Sequence, residues 1–358
     1  MRVRNFCAGP AAIPEEVLKE VKAELLDWNN SGISIMEMSH RSSTFKEIAH
    51  SAKKDFIDLL FIPDDYDVLF LQGGATHQFS MVPMNFSSKE DSADYLLTGA
   101  WSKKAISEAL RLSNINVVAS SEEENYNHIP NFDDWNIDSK AQYFHYVPNE
   151  TIHGVAIHSP PLIDCKVIAD MSSVILSEPI DVSKFDLIYA GAQKNIGPAG
   201  LTVVIIKKSM FELENTNIPN IFRYSKHSEN DSMLNTPPTF SWYIAGKVFK
   251  WLKREGGLEE MKQKNHLKAQ TLYNFIDNSD YFSNPVRETD RSIMNIPFTL
   301  FNKDLDSLFI NEAQKRGLIN LKGHRSLGGM RASIYNAMPI EGVHDLINFM
   351  KDFENKNG

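Results

Sequence analysis

The sequence predicts an α/β protein: a large domain on a mostly parallel sheet, followed by a smaller α+β domain. Three observations predict it. Short, near-continuous apolar runs recur between about residues 67 and 206, separated by helical or loop segments, as strands covered on both faces read. Beyond Gly256-Gly257 the order changes to a long helix followed by isolated strands and helices. With 358 residues, 42% of them hydrophobic, the chain is long enough for about two domains with real cores. We expect the large domain to span 13–257 and the small one 258–358, completed by residues 1–12.

Element by element, Pro14-Glu15-Glu16 opens a helix that places Val17, Val21, Leu25 and Trp28 on one face. The strand candidates are 68–71, 95–97, 143–147, 167–169, 187–190 and 203–206. An amphipathic helix follows with Trp242, Ala245, Phe249 and Leu252 in step, and Gly256-Gly257 is a strong stop signal. Next come a long helix, a strand near 293–300, a helix near 305–316 and a strand near 330–335. A last helix carries Ile340, Val343, Ile347 and Met350 on one face.

Charge and composition exclude several classes. The 37 Lys+Arg against 46 Asp+Glu give a net charge of −9, which argues against a nucleic-acid footprint but leaves room for a local anion site. Two cysteines, Cys7 and Cys165, cannot build a disulfide framework or a four-Cys metal site, and they fit a reducing compartment. No His/Cys set or H-E-x-x-H pattern points to a metal. No apolar h-region follows the N-terminal charges, and no run approaches the ~18 residues a membrane span needs. We expect a cytoplasmic protein with no membrane or nucleic-acid partner.

Four groups of residues could carry chemistry. Lys194 follows a buried strand and stands among Gly191, Ala192, Gly197, Ala199 and Gly200. Desolvation there would lower its pKa and free the amine for Schiff-base chemistry; a solvated turn lysine is the plain alternative. Asp170 ends an apolar strand, where α/β proteins place ligands and where an acid can hold a pyridine nitrogen protonated; it could equally cap a turn. The segment from Val68 to His77 reads as strand, glycine turn and helix start, a backbone anion site at Ala75 and Thr76 suited to a monophosphate. At further strand ends, Trp101 could stack on a flat ring or serve as core, and Thr151 could bond a cofactor or cap a turn. Two His-Arg pairs, His40-Arg41 and His324-Arg325, with Arg331 close by, hint at a dianionic ligand against the alternative of surface decoration.

With these residues laid out, the chain resembles the phosphoserine aminotransferase family, class V members of the fold-type I pyridoxal-phosphate enzymes. The resemblance runs through nearly the whole chain. It rests on Asn5-Phe-Cys-Ala-Gly-Pro10, Met38-Ser-His-Arg41, Gln72-Gly-Gly-Ala75, Pro148-Asn-Glu-Thr-Ile152, Ala190-Gly-Ala-Gln-Lys-Asn-Ile-Gly-Pro-Ala-Gly200, Asn235-Thr-Pro-Pro-Thr239, Lys322-Gly-His-Arg325 and Gly328-Gly-Met-Arg-Ala-Ser-Ile-Tyr-Asn-Ala337. It implies the aspartate-aminotransferase-like fold and pyridoxal 5′-phosphate as cofactor. Lys194 would attach the cofactor, Asp170 would pair with its ring nitrogen, Trp101 would stack on the ring and Thr151 would bond near it. The cofactor phosphate would meet the backbone of Ala75 and Thr76, Gln193, and Asn235 and Thr236 of a neighbouring subunit in a homodimer. Arg331 would take the substrate α-carboxylate, while His40, Arg41, His324 and Arg325 would surround the substrate phosphate.

The implied reaction moves an amino group between L-glutamate and 3-phosphohydroxypyruvate, giving 2-oxoglutarate and L-phosphoserine. In some bacteria the family also acts on 4-phosphohydroxy-threonine in pyridoxine synthesis. Thr76 and Ala8 depart from the family pattern, where some members carry Arg and Ser, so only backbone contacts carry over at those two positions. The rival readings are a class V aminotransferase acting on alanine, serine or glyoxylate, which has no need of two His-Arg pairs, and a non-catalytic cofactor-binding protein. A cysteine desulfurase would need a Cys on a mobile loop beside the cofactor, which neither Cys7 nor Cys165 offers.

Overall fold

All six apolar runs picked out between residues 67 and 206 become strands of one sheet. The computed structural model describes residues 2–325 and 327–358. Its first elements are β1 (Arg4–Asn5), α1 (Glu15–Glu24), α2 (Ser43–Leu60), β2 (Tyr66–Gln72), α3 (Ala75–Phe86), β3 (Ser92–Leu97), α4 (Ala100–Ala109) and β4 (Asn114–Ser120). There follow β5 (Phe144–Tyr146), β6 (Asn149–Glu150), β7 (Val155–Ala156), β8 (Val167–Asp170), β9 (Leu187–Gly191) and β10 (Leu201–Lys207). The remainder is α5 (Tyr224–Ser228), α6 (Thr239–Arg254), α7 (Gly257–Asp277), β11 (Phe282–Ser283), β12 (Asn295–Leu300), α8 (Asp306–Lys315), β13 (Leu318–Ile319), β14 (Met330–Ser333) and α9 (Ile340–Asn357).

The large sheet has the order β2-β10-β9-β8-β5-β3-β4. Strand β10 runs antiparallel to both β2 and β9, while β3, β4, β5, β8 and β9 pair in parallel. The apolar runs are continuous because alternate residues feed different cores. Val68, Phe70, Val203 and Ile205 join α2 and α6 on one face. Leu69, Leu71, Val204 and Ile206 join α3 and α4 on the other. The first face is knit by the indole of Trp242 stacked on Phe70, with ring centroids 4.6 Å apart.

A further core gathers Phe6 with residues of α7, β12, α8, β14 and α9. Helix α7 serves both, with Leu258 and Met261 in the first core and Ala269, Leu272 and Ile276 in this one. Between those groups the buried Lys268 ammonium donates to the carbonyls of Ile334, Tyr335 and Met338 at 2.8–3.0 Å. That contact pins the segment just after β14, the strand that carries Arg331. The N-terminal segment is tied in as well, since β1 pairs in parallel with β13 and the Tyr335 hydroxyl donates to the Ala8 carbonyl.

Two local expectations differ from the structure, and one is sharpened by it. Helix α1 stops at Glu24, so Leu25 and Trp28 lie beyond it; Asn29 and Asn30 adopt positive φ, a conformation Asn tolerates and a helix does not. Gly256-Gly257 ends α6 but α7 starts at once, the two glycines at φ +97° and +76° forming a reversal. Strand β4 escaped the reading because its apolar run, Val117-Val118-Ala119, is short and flanked by Asn and Ser, as suits an edge strand whose residues are mostly half-exposed or exposed.

Candidate active site

The carboxyl ends of β2, β3, β8 and β9, with the β6 hairpin beyond β5, converge on one pocket, where an open parallel sheet places its ligands. Its lining includes Gly74, Ala75, Thr76, Trp101, Thr151, Asp170, Gln193 and Lys194. Lys194 sits three residues past β9 and is buried. Its Nζ donates to Thr151 Oγ1 at 2.5 Å and lies 5.7 Å from the Trp101 ring centroid. Burial lowers its pKa to about 8, with the Arg331 charge adding to that and Asp170 and Glu150 opposing it. Neighbouring contacts hold the loop: Asn195 donates to the Ile175 carbonyl and accepts from the Asn336 amide, and Ala11 donates to the Gln193 carbonyl. Gly9 packs so closely that a Cβ there would lie 3.2 Å from Gln193 Cγ.

Asp170 ends β8 with its carboxylate buried. Both the amide and the hydroxyl of Ser172 donate to Oδ1, at 2.9 and 2.6 Å. The Ser172 hydroxyl also accepts from the Gly191 amide, which locks β8 to β9. Among the described residues Oδ2 has no hydrogen-bonding partner. Burial raises the pKa of this carboxyl, while Ser172 and the nearby Lys194 hold it down. A buried carboxylate with one oxygen free suits a protonated ring nitrogen.

Two helices begin at this edge. Helix α3 starts behind Gly74 with no side-chain cap, so the first-turn amides at Ala75 and Thr76 border the pocket. Helix α4 starts behind Gly99 and carries Trp101 and Ser102 in its first turn. There Glu150 Oε2 accepts from the Trp101 amide at 3.0 Å, and Oε1 accepts from the Ser102 amide at 2.8 Å. The Trp101 Nε1 is buried without a partner among the described residues.

A second pocket contains Arg331, His324, His153 and Tyr126. Arg331 lies on β14 opposite Pro297; its Nε is buried with no acceptor among the described residues, and burial lowers its pKa. Such a guanidinium awaits an anion. The His324 imidazole is pushed down by desolvation and then by Arg331, Lys104 and Arg325, which make a cationic neighbourhood. His153 is buried, packs edge-on to Tyr126 at 4.7 Å, and is pushed down to about 4 by desolvation.

The structure therefore brings Ala75, Thr76, Trp101, Thr151, Asp170, Gln193 and Lys194 together, and groups His324 with Arg331 next door. It does not bring the rest into either pocket of this chain. His40 and Arg41 sit in the turn before α2, Asn235 and Thr236 in the loop before α6, and Arg325, exposed beside His324, lines neither pocket although its charge reaches His324. The sequence reading missed Ser172, Glu150, His153 and Lys104. The first two were within reach, as an Asp-Met-Ser step after a strand end and the acid beside Thr151; the others become visible only when distant segments meet.

The donor set fits pyridoxal phosphate. It offers a depressed lysine, a half-satisfied buried carboxylate, an indole wall with its own N–H unpaired, and open helix amides for a phosphate. A family model described as aminotransferase class-V matches residues 3–346. A protein of Hahella chejuensis named phosphoserine aminotransferase is 54% identical over 354 residues, covering 99% of this chain and 98% of that one. The solved phosphoserine aminotransferase from Bacillus circulans subsp. alkalophilus superposes with a TM-score of 0.97 at 43% identity, over 100% of this chain and 99% of that one. A pyridoxal-phosphate-bound phosphoserine aminotransferase from Trichomonas vaginalis gives 0.94 at 42% identity, over 98% and 100%.

Proposed function

The chain belongs to the class-V aminotransferase family, and from that premise we propose that it is a pyridoxal-phosphate-dependent phosphoserine aminotransferase. It exchanges the amino group reversibly between L-glutamate and 3-phosphohydroxypyruvate, giving 2-oxoglutarate and L-phosphoserine for serine biosynthesis. One observation carries the reading: a buried lysine of lowered pKa beside Asp170 adjoins a cationic pocket in which the Arg331 Nε has no acceptor among the described residues. A depressed amine alone would suit many enzymes; the cationic pocket next to it selects a substrate with anions at both ends.

Bound pyridoxal phosphate supplies the sink for the electron pair left when a substrate α-hydrogen departs as a proton. Asp170, through Oδ2, would keep the ring nitrogen protonated, and Trp101 would cover the ring. Ala75, Thr76 and Gln193 hold the cofactor phosphate. Lys194, with a pKa of about 8, takes the α-proton as a base and, as the conjugate acid, would deliver it to the cofactor carbon that keeps the amino nitrogen. Arg331 orients the α-carboxylate, and His324 and Arg325 take the distal anion. Phosphate and the glutamate γ-carboxylate are both anions, so one cluster accepts both substrates.

His40, Arg41, Asn235 and Thr236 lie outside the pockets of their own chain, which favours a homodimer whose second copy supplies them. We place the division between the two domains along α7, whose ends join different cores, and the enzyme in the cytoplasm. The test is a coupled assay with 2-oxoglutarate that compares phosphoserine and serine as amino donor. Strong preference for phosphoserine is expected; equal use of serine would point to another class V aminotransferase.

A further inference from the structure

Glu150 is a carboxylate whose only part so far is to oppose, by its charge, the lowering of the Lys194 pKa. It is fully buried, yet it takes part in no ion pair among the described residues. Its backbone is fixed by the β6–β7 hairpin, where Glu150 faces Val155 and its carbonyl accepts from the Gly154 amide at 2.8 Å. Its side chain spends both oxygens on the first turn of α4. Oε2 takes the Trp101 amide, and Oε1 takes the amide and the hydroxyl of Ser102, the latter at 2.7 Å. The same hydroxyl accepts from the Thr98 and Gly99 amides at 3.0 Å and lies 3.0 Å from the Gly99 carbonyl, so Glu150 and Ser102 together tie down the β3–α4 connection. Gly99 makes the approach possible, since a Cβ there would lie 2.4 Å from Glu150 Cδ.

The next residue along, Thr151, holds the Lys194 amine. Two consecutive residues thus reach the two parts of the site that must be in register, the indole and the amine. We propose that Glu150 is a positioning residue for the cofactor, holding the Trp101 indole at the height above Lys194 that the ring plane requires. The inference rests on the reading that this pocket takes pyridoxal phosphate. A plain helix cap would stabilise α4 without regard to the residue at position 101, and this difference can be measured.

The experiment is a double-mutant cycle on apoprotein, with Glu150→Gln, Trp101→Ala and the double variant titrated with pyridoxal phosphate. Affinity is read by equilibrium dialysis and ring orientation by the circular dichroism band of the bound cofactor. The amide of Gln presents a donor where two acceptor oxygens were needed, so Glu150→Gln alone should weaken binding roughly tenfold and alter the band. In the Trp101→Ala background the same exchange should change affinity less than about twofold. An equal loss in both backgrounds, or no loss in either, overturns the proposal. If Glu150→Gln does not fold, Ser102→Ala keeps the carboxylate but removes the hydroxyl that donates to it and accepts from the Thr98 and Gly99 amides, and its loss should again vanish with Trp101→Ala; a loss independent of Trp101 overturns it. Failure of the wild-type apoprotein to take up the cofactor would instead overturn the functional reading, and this inference with it.

Discussion

Helices α3 and α4 leave the same sheet edge, each behind a glycine, yet the first turn of one opens onto the pocket while the other is closed by a buried carboxylate. A helix start attracts anions through its unpaired amides and its dipole. At α4 the protein spends that attraction on its own Glu150 and gains a fixed indole. At α3 no carboxylate closes the turn: His77 Nδ1 accepts from the Gly74 amide at 3.3 Å, and Ala75 and Thr76 line the cavity. The fold thus offers two helix starts and fills one internally, and under the proposed function the α3 turn is left for the cofactor phosphate.

The largest effect should come from removing the group that both helix starts surround. Lys194→Ala should abolish amino transfer while far-UV circular dichroism and the dimer stay as in wild type, because the side chain serves chemistry more than packing. Substantial turnover in that variant would contradict its role. Next in size, Arg41→Leu and Arg325→Leu test an anion site built from side chains instead of a helix start. Each should lose roughly 10- to 150-fold in kcat/KM for phosphoserine, and also for glutamate, through one charge-assisted contact. The bound-cofactor spectrum should not move, since neither residue lines the cofactor pocket. Wild-type kinetics in the double variant would assign both arginines to the surface.

A smaller effect is a pH dependence. Capture of pyridoxal by the apoprotein needs a neutral Lys194 amine, so its rate should rise with pH around a midpoint near 8, in place of the ~10.4 of an ordinary lysine. The sign for stability follows from the same shift. Between those two values the unfolded chain binds more protons than the folded one, so the apoprotein gains stability from this group as pH rises through that window. A capture midpoint near 10 would mean that the lysine is solvated.

The sequence made the large sheet legible because alternate residues of β2 and β10 feed two cores and leave no polar position in the run. The edge strand β4, with Asn and Ser around a three-residue apolar run, gave a weaker signal. Lys194, Asp170 and the Gly73-Gly74 turn were legible because each stands at a strand end, where costly or permissive residues stand out. Glu150 was not, since a carboxylate in a Pro-Asn-Glu-Thr stretch reads as loop decoration until α4 is seen resting on it. Arg331 and His324 stood out through the His-Arg pairing and the resemblance, and only the return of β14 beside the sheet shows them sharing one cavity.

The most direct test of the division between the two helix starts is to close the open one. Gly74 has extended backbone angles, and no atom lies within 4 Å of the point a Cβ would occupy there, so Gly74→Asp fits without strain. Aspartate there would cap α3 as Glu150 caps α4, leaving helix stability within a few tenths of a kcal/mol. Apoprotein affinity for pyridoxal phosphate should then fall tenfold or more, roughly the worth of one charge-assisted contact, while affinity for pyridoxal, which lacks the phosphate, stays unchanged. Equal affinity of Gly74→Asp and wild type for pyridoxal phosphate would contradict the account.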